Sequence, residues 1–167
     1  MPMSARTFCA ALLALLSVCG CSGLKSYTNT LEKNARIHVR TDGGTLLSRI
    51  GIALDLYTVN PACGAQYLGT VELDEATIEL GLPLDQKVRL AYVFSRDALL
   101  GTSGTTVIEM MLTPRRGERY EFEVAYLKEG YTATGRVFPA GRAPSKDIEH
   151  SRLRDCTPQR IPGHGRR

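Results

Sequence analysis

Arg119-Tyr120-Glu121-Phe122-Glu123-Val124-Ala125-Tyr126-Leu127 alternates apolar and polar residues without a break. Tyr120, Phe122, Val124 and Tyr126 share one side of an extended chain, and Glu121 and Glu123 share the other. Successive side chains of a strand point to opposite faces, so this period describes a strand with one dry face and one wet face. Lys128-Glu129-Gly130 offers a short hairpin, and Tyr131 to Phe138 is the returning strand.

The same period recurs upstream. Ala35 to Thr41 puts Ile37 and Val39 on one face, and Gly43-Gly44 then offers a turn. Arg49 to Val59 aligns Ile50, Ile52, Leu54 and Leu56 until Pro61-Ala62-Cys63-Gly64 interrupts it. Tyr67 to Leu73 brings Tyr67, Gly69, Val71 and Leu73 into phase, and Ala76 to Leu80 is weaker. Lys87 to Ser95 aligns Val88, Leu90, Tyr92 and Phe94. After a loop at Gly101 to Gly104, Thr105 to Thr113 aligns Ile108, Met110 and Leu112, and Pro114 to Gly117 turns the chain. Seven or eight such runs, short turns and no convincing helix predict an all-β fold: a single antiparallel β-sandwich over residues 35–139. From Ala140 the pattern stops. Pro144, Pro158 and Pro162 with Gly141, Gly163 and Gly165 predict an irregular basic tail over 140–167, in which Lys146 to Asp155 offers at most a helical turn or two.

The 167 residues are 43% hydrophobic and 23% charged, ordinary values for one globular domain with extensions. The net charge of +4 is unevenly placed. Cys21 to Pro139 holds 13 Lys/Arg against 14 Asp/Glu, whereas Ala140 to Arg167 holds 7 against 3. The basic character therefore belongs to the tail, a solvated end with a modest attraction for anionic lipid or polymer.

Residues 1–20 read as a processing segment. Arg6 is the only early charge, and Phe8 to Val18 is uncharged and apolar. Eleven helical residues span roughly 16 Å, too short for a hydrocarbon core of about 30 Å. The run is therefore a signal segment and not a membrane span. It ends in Leu16-Ser17-Val18-Cys19-Gly20-Cys21-Ser22, which resembles the lipobox of bacterial lipoproteins. The resemblance implies cleavage by the lipoprotein signal peptidase and acylation of the new N-terminal residue. Cys21 follows the small Gly20, as that pattern requires, whereas Cys19 follows the bulky Val18. Lipid attachment is therefore expected at Cys21, and the mature chain would be anchored to a membrane without spanning it. Ser22 stands where lipoproteins retained at the inner membrane carry Asp, so the resemblance implies the outer membrane, facing the periplasm. Residues 21–34 would be the lipidated N-terminus and a polar tether, reaching about 45 Å when extended.

Cys9 and Cys19 leave with the leader, and Cys21 carries lipid. Cys63 and Cys156 remain, an even pair in a compartment that permits disulfides, and a bond between them is expected, with two free thiols as the alternative.

Leu112-Thr113-Pro114-Arg115-Arg116-Gly117-Glu118-Arg119-Tyr120-Glu121-Phe122-Glu123-Val124 resembles the Leu-x-Pro…Tyr corner of fibronectin type III and related immunoglobulin-like or transthyretin-like sandwiches. The resemblance implies that the Tyr120 hydroxyl ties a corner between sheets. It identifies no function.

Chemistry is sparse. His38, His150 and His164 lie far apart, and no His or Cys pair has the spacing of a zinc site, so no metal or cofactor is expected. Ser103 sits in Gly101-Thr102-Ser103-Gly104, which lacks the form of a nucleophile elbow. Glu121 and Glu123 lie about 6.8 Å apart on one strand face, a spacing open to a carboxylate pair but usual for a solvated face. Arg115, Arg116 and Arg119 cluster at a turn, as an anion-binding site or as a charged, solubilising loop. No nucleic-acid partner is expected of an exported chain. The sequence thus predicts a non-enzymatic envelope lipoprotein. Its role is structural or protein-binding, with another envelope protein as partner. The alternative is a module for an envelope polymer or small ligand, in a groove lined by Tyr57, Tyr67 or Tyr92.

Overall fold

The computed structural model describes residues 25–41, 48–98, 103–127, 130–141 and 144–157. Lipid attachment at Cys21, the turn at Gly43-Gly44 and most of the Lys128-Glu129-Gly130 hairpin lie outside them. The strands are β1 (Ala35–Thr41), β2 (Ser48–Val59), β3 (Ala65–Glu72), β4 (Thr77–Leu80), β5 (Lys87–Ala98), β6 (Gly104–Leu112), β7 (Arg119–Leu127), β8 (Gly130–Phe138) and β9 (Lys146–Asp147). A 3-10 turn covers Leu153–Asp155. The fold is all-β. Its two sheets run β4-β1-β7-β8-β9 and β3-β2-β5-β6.

One core serves both sheets. Ile37 of β1, Phe122 and Val124 of β7 and Ala133 of β8 join Ile52, Leu54 and Leu56 of β2, Leu90, Tyr92 and Phe94 of β5 and Met110 of β6 in one buried cluster. The rings of Tyr92 and Phe122 lie 6.2 Å apart across the two sheets, and those of Phe94 and Tyr131 5.2 Å apart. Most buried residues of β2, β5 and β7 are the ones that the two-residue period placed inward; Val59, Ala91 and Ala125 are buried against it. Fully burying one such side chain contributes about 1.5–3 kcal/mol, and a register slip of one residue would forfeit the whole set.

Four features depart from the sequence reading. The pairing is not wholly antiparallel: β1 lies parallel to β7, from Ala35 opposite Tyr120 to Thr41 opposite Tyr126. Nearly eighty residues separate the two strands, so no hairpin dictates their sense and the connection is long enough for a parallel pair. In β3 the predicted phase fails at Tyr67: a register shift at Leu56/Tyr57 brings it onto the outer face beside Tyr57, where its hydroxyl, with the Asp55 carboxylate, bonds the Thr70 hydroxyl and leaves Thr70 only 7% exposed.

The third departure is at the N-terminus. Residues 25–34, expected within a tether, lie along the side of the two sheets. The Tyr27 N–H donates to the Thr70 carbonyl at 2.8 Å and the Thr70 N–H to the Lys25 carbonyl at 2.8 Å, on the edge of β3. The Tyr27 hydroxyl then donates to the Gly81 carbonyl at 2.6 Å, just beyond β4 in the other sheet. Asn29 donates to the Glu79 carbonyl and accepts from the Gly81 N–H, and Asn34 does the same with the carbonyl and N–H of Leu82. A Cβ at position 81 would stand 2.6 Å from the Leu31 Cβ, so the close approach requires glycine there. This N-terminal lace spans from the β3 edge to the β4 edge.

A C-terminal lace closes the opposite side, within the segment read as an irregular tail. β9 pairs with β8, and the Ile148 N–H donates to the Gly135 carbonyl at 2.8 Å. His150 forms an antiparallel bridge to Met110 on β6, and its Nε2 donates to the Ala133 carbonyl at 2.7 Å. The Met111 N–H donates to the Ser151 hydroxyl at 3.0 Å, and the Leu153 N–H to the Glu109 carboxylate at 3.0 Å. Both laces satisfy strand-edge backbone groups that would otherwise be left without partners.

Candidate functional site

Cys63 and Cys156 are bonded, with Cα atoms 6.0 Å apart. Cys63 sits in the turn between β2 and β3, with φ of 65°. Asn60 builds that turn by accepting the N–H groups of Ala62 and Gly64 on its side-chain oxygen. The bond fastens the end of the C-terminal lace to the far side of the four-stranded sheet.

With both laces in place, a long strand edge stays open among the described residues. The N-terminal lace covers β3 at Thr70 and β4 at Glu79, and the C-terminal lace covers β6 from Met110 onward. Among the described residues nothing pairs with the outward edge of β6 from Gly104 to Ile108. Gly104 to Val107 are exposed, and Val107 keeps 47% of its surface in water. Gly104-Thr105-Thr106-Val107-Ile108 contains no charge and no proline, the usual devices that blunt an edge. On the outer face, Val107 lies opposite Val93, which lies opposite Ala53, so a short apolar row runs out to the open edge.

Arg115, Arg116 and Arg119 come together at a cleft of about 440 Å³. One wall is the turn that carries them, and the other is the end of the N-terminal lace, Leu31 to Asn34. Leu82 and Leu84 form the apolar part of its lining. The arginine turn is firmly built. Gly117 takes a φ of 80°, the Glu118 N–H donates to the Arg115 carbonyl at 3.2 Å, and the Asp85 N–H donates to the Pro114 carbonyl at 2.8 Å. Tyr120 joins the two walls. Its hydroxyl accepts the Arg115 N–H at 3.1 Å and donates to the Glu118 carboxylate, while its backbone N–H donates to the Asn34 carbonyl at 2.9 Å. The hydroxyl thus ties β7 back to the turn that leads into it. Burial, with the Glu118 carboxylate second, pushes its pKa up to about 12. No carboxylate among the described residues pairs with the guanidiniums of Arg115, Arg116 or Arg119.

The remaining candidates do not converge. Glu121 is half-buried and Glu123 exposed, on the outer face of the five-stranded sheet, where Glu121 lies between Arg36 and Arg136 and Glu123 beside His38. Tyr92 is fully buried in the core and lines no groove. Tyr57 and Tyr67 pair on the outer face of the four-stranded sheet, 5.3 Å between ring centroids. Arg89 stacks on Tyr57 at 4.5 Å and binds Glu109 at 2.7 Å. Arg89, followed by the Leu153 N–H, holds the Glu109 carboxyl below its usual pKa, so this pair anchors the C-terminal lace electrostatically. No group of three potential metal ligands occurs among the described residues.

The three arginines were legible as a cluster, but Leu31, Lys33, Leu82 and Leu84, which complete the cleft, were not. The closed edges carried one usable signal: Gly81, a glycine at the end of a strand where another backbone comes close. Comparison with protein-family models and with curated proteins finds no match for this chain.

Proposed function

We propose that this chain is a lipid-anchored protein of the bacterial cell envelope, and that its two sheets form a β-sandwich that docks a second envelope protein by accepting a strand on the Gly104–Ile108 edge of β6. The observation that supports this most is that both laces cap strand edges while, among the described residues, nothing pairs with this uncharged stretch rich in β-branched residues. Strand addition takes its affinity from main-chain hydrogen bonds and its selectivity from alternate side chains, here the apolar row ending at Val107.

The anchor rests on the Leu16–Cys21 pattern, with acyl chains on Cys21 holding the protein at the periplasmic side of the outer membrane. No helix among the described residues is long and apolar enough to cross a membrane. Because the Lys25 carbonyl is bonded to Thr70, only the chain from Cys21 to Lys25 is left as a tether, about 14 Å when extended. On this reading the attachment point would lie near β3, and β6 is the opposite edge of the same sheet. We read the protein as a binding module without catalytic chemistry or cofactor.

Mild crosslinking of envelopes, followed by solubilisation and affinity capture of the tagged full-length protein, should recover one partner in stoichiometric amount. Thr105→Lys with Val107→Lys should abolish capture while leaving the melting temperature within about 2 °C, as surface changes do. Recovery of the same partner by the doubly charged variant, or of none by the wild type, would overturn this function.

A further inference from the structure

We propose that the cleft between Leu31–Asn34 and Arg115–Arg119 binds an anionic phospholipid, its phosphate on the guanidiniums and the first part of its acyl chains on Leu31 and Leu84. Four cations line the cleft (Lys33, Arg115, Arg116 and Arg119), against two carboxylates, Glu32 and Glu118. The Glu118 carboxylate is held by the Tyr120 hydroxyl, and Lys33 reaches Glu79 only at 3.9 Å. The Arg119 guanidinium lies over the Phe138 ring, 5.9 Å from its centroid, and no carboxylate among the described residues takes any of the three, so their forked donors remain for an oxyanion, which they match in geometry.

The apolar lining narrows the choice of anion. Leu31 is 44% exposed at the cleft wall, and the half-buried Leu84 continues the apolar surface inward, over the fully buried Leu82. An acidic polypeptide or polymer would engage the arginines and leave these leucines uncovered, whereas a phosphate esterified to an acylated glycerol uses both surfaces. The volume of about 440 Å³ accepts a headgroup and the upper part of the chains. Both walls are fixed in advance by Tyr120, so little ordering opposes binding. This goes beyond the strand-docking function, uses a different face, and fails separately from it.

The test is calorimetric titration of the full-length protein in a nonionic detergent with four probes: dihexanoyl phosphatidic acid below its micelle concentration, dihexanoyl phosphatidylcholine, inorganic phosphate and an acidic peptide. Phosphatidic acid should saturate one site at least about tenfold more tightly than each of the others. Arg115→Ala and Arg119→Ala should each weaken it by about tenfold or more, as loss of a charged hydrogen bond does. Arg116→Ala, at the exposed tip of the turn, is a second variant that leaves the fold unburdened, and circular dichroism checks all three. Leu84→Asp should weaken phosphatidic acid and leave inorganic phosphate unchanged. Equal affinity for inorganic phosphate, preference for the acidic peptide, or arginine variants that bind as the wild type does would overturn the proposal.

Discussion

Removing the Cys63–Cys156 bond tests whether the C-terminal lace is held by covalent restraint or by its own contacts. The bridge joins residues separated by 93 positions. In the chain-entropy description a loop of that length restricts the unfolded chain by about 4–5 kcal/mol at 25 °C. That is a large share of the ~5–15 kcal/mol by which domains are stable. The lace keeps other contacts when the bond is cut, namely the packing of Ile148 on the core, the bridge from His150 to Met110 and the hydrogen bonds of Ser151 and Leu153. The folded state should therefore survive, with its melting temperature lowered by roughly 15 °C at about 3–4 °C per kcal/mol. Thermal unfolding followed by circular dichroism should show this equally for reduced wild type and for Cys63→Ala with Cys156→Ala. Amide exchange at Met111 and Leu153 should accelerate in both. A fall of less than about 3 °C with unchanged exchange would refute the reasoning.

Three further outcomes follow from particular contacts. Glu109 is held below its usual pKa by Arg89, so its contribution is complete above the unfolded value of about 4.3 and is lost as pH falls through the folded value. Melting temperature should therefore drop more steeply between about pH 5 and 3 in wild type than in Glu109→Gln. Gly81→Ala should cost about 1–3 kcal/mol in urea unfolding by driving a Cβ into Leu31 and Glu32, whereas Gly104→Ala, which meets open space, should stay within about 0.5 kcal/mol. Tyr120→Phe removes the acceptor for the Arg115 N–H and should cost about 1–3 kcal/mol in the same assay.

The strands were legible because water on one side and a core on the other impose the two-residue period. Val88, Leu90, Tyr92 and Phe94 show it in β5, and all four are fully buried. The pairing of Cys63 with Cys156 was legible by counting. The laces were not, because Asn29 and Asn34 reach strand-edge backbone through side-chain amides, a contact with no apolar period to betray it. Tyr67 was misplaced because the register shift at Leu56/Tyr57 moves it to the outer face, a local irregularity that the two-residue period does not announce. The parallel partnership of β1 and β7 depends on a contact between distant segments, which local pattern does not encode. Arg115, Arg116 and Arg119 were visible together because they sit on one turn, but the opposing wall comes from the other end of the chain.

Every statement about location rests on acylation of Cys21. Mass spectrometry of the N-terminal peptide from protein extracted from envelopes measures this directly. The account predicts a peptide that begins at Cys21 and carries the mass of a diacylglycerol group. A peptide that begins elsewhere, or a Cys21 with a free thiol, would contradict it.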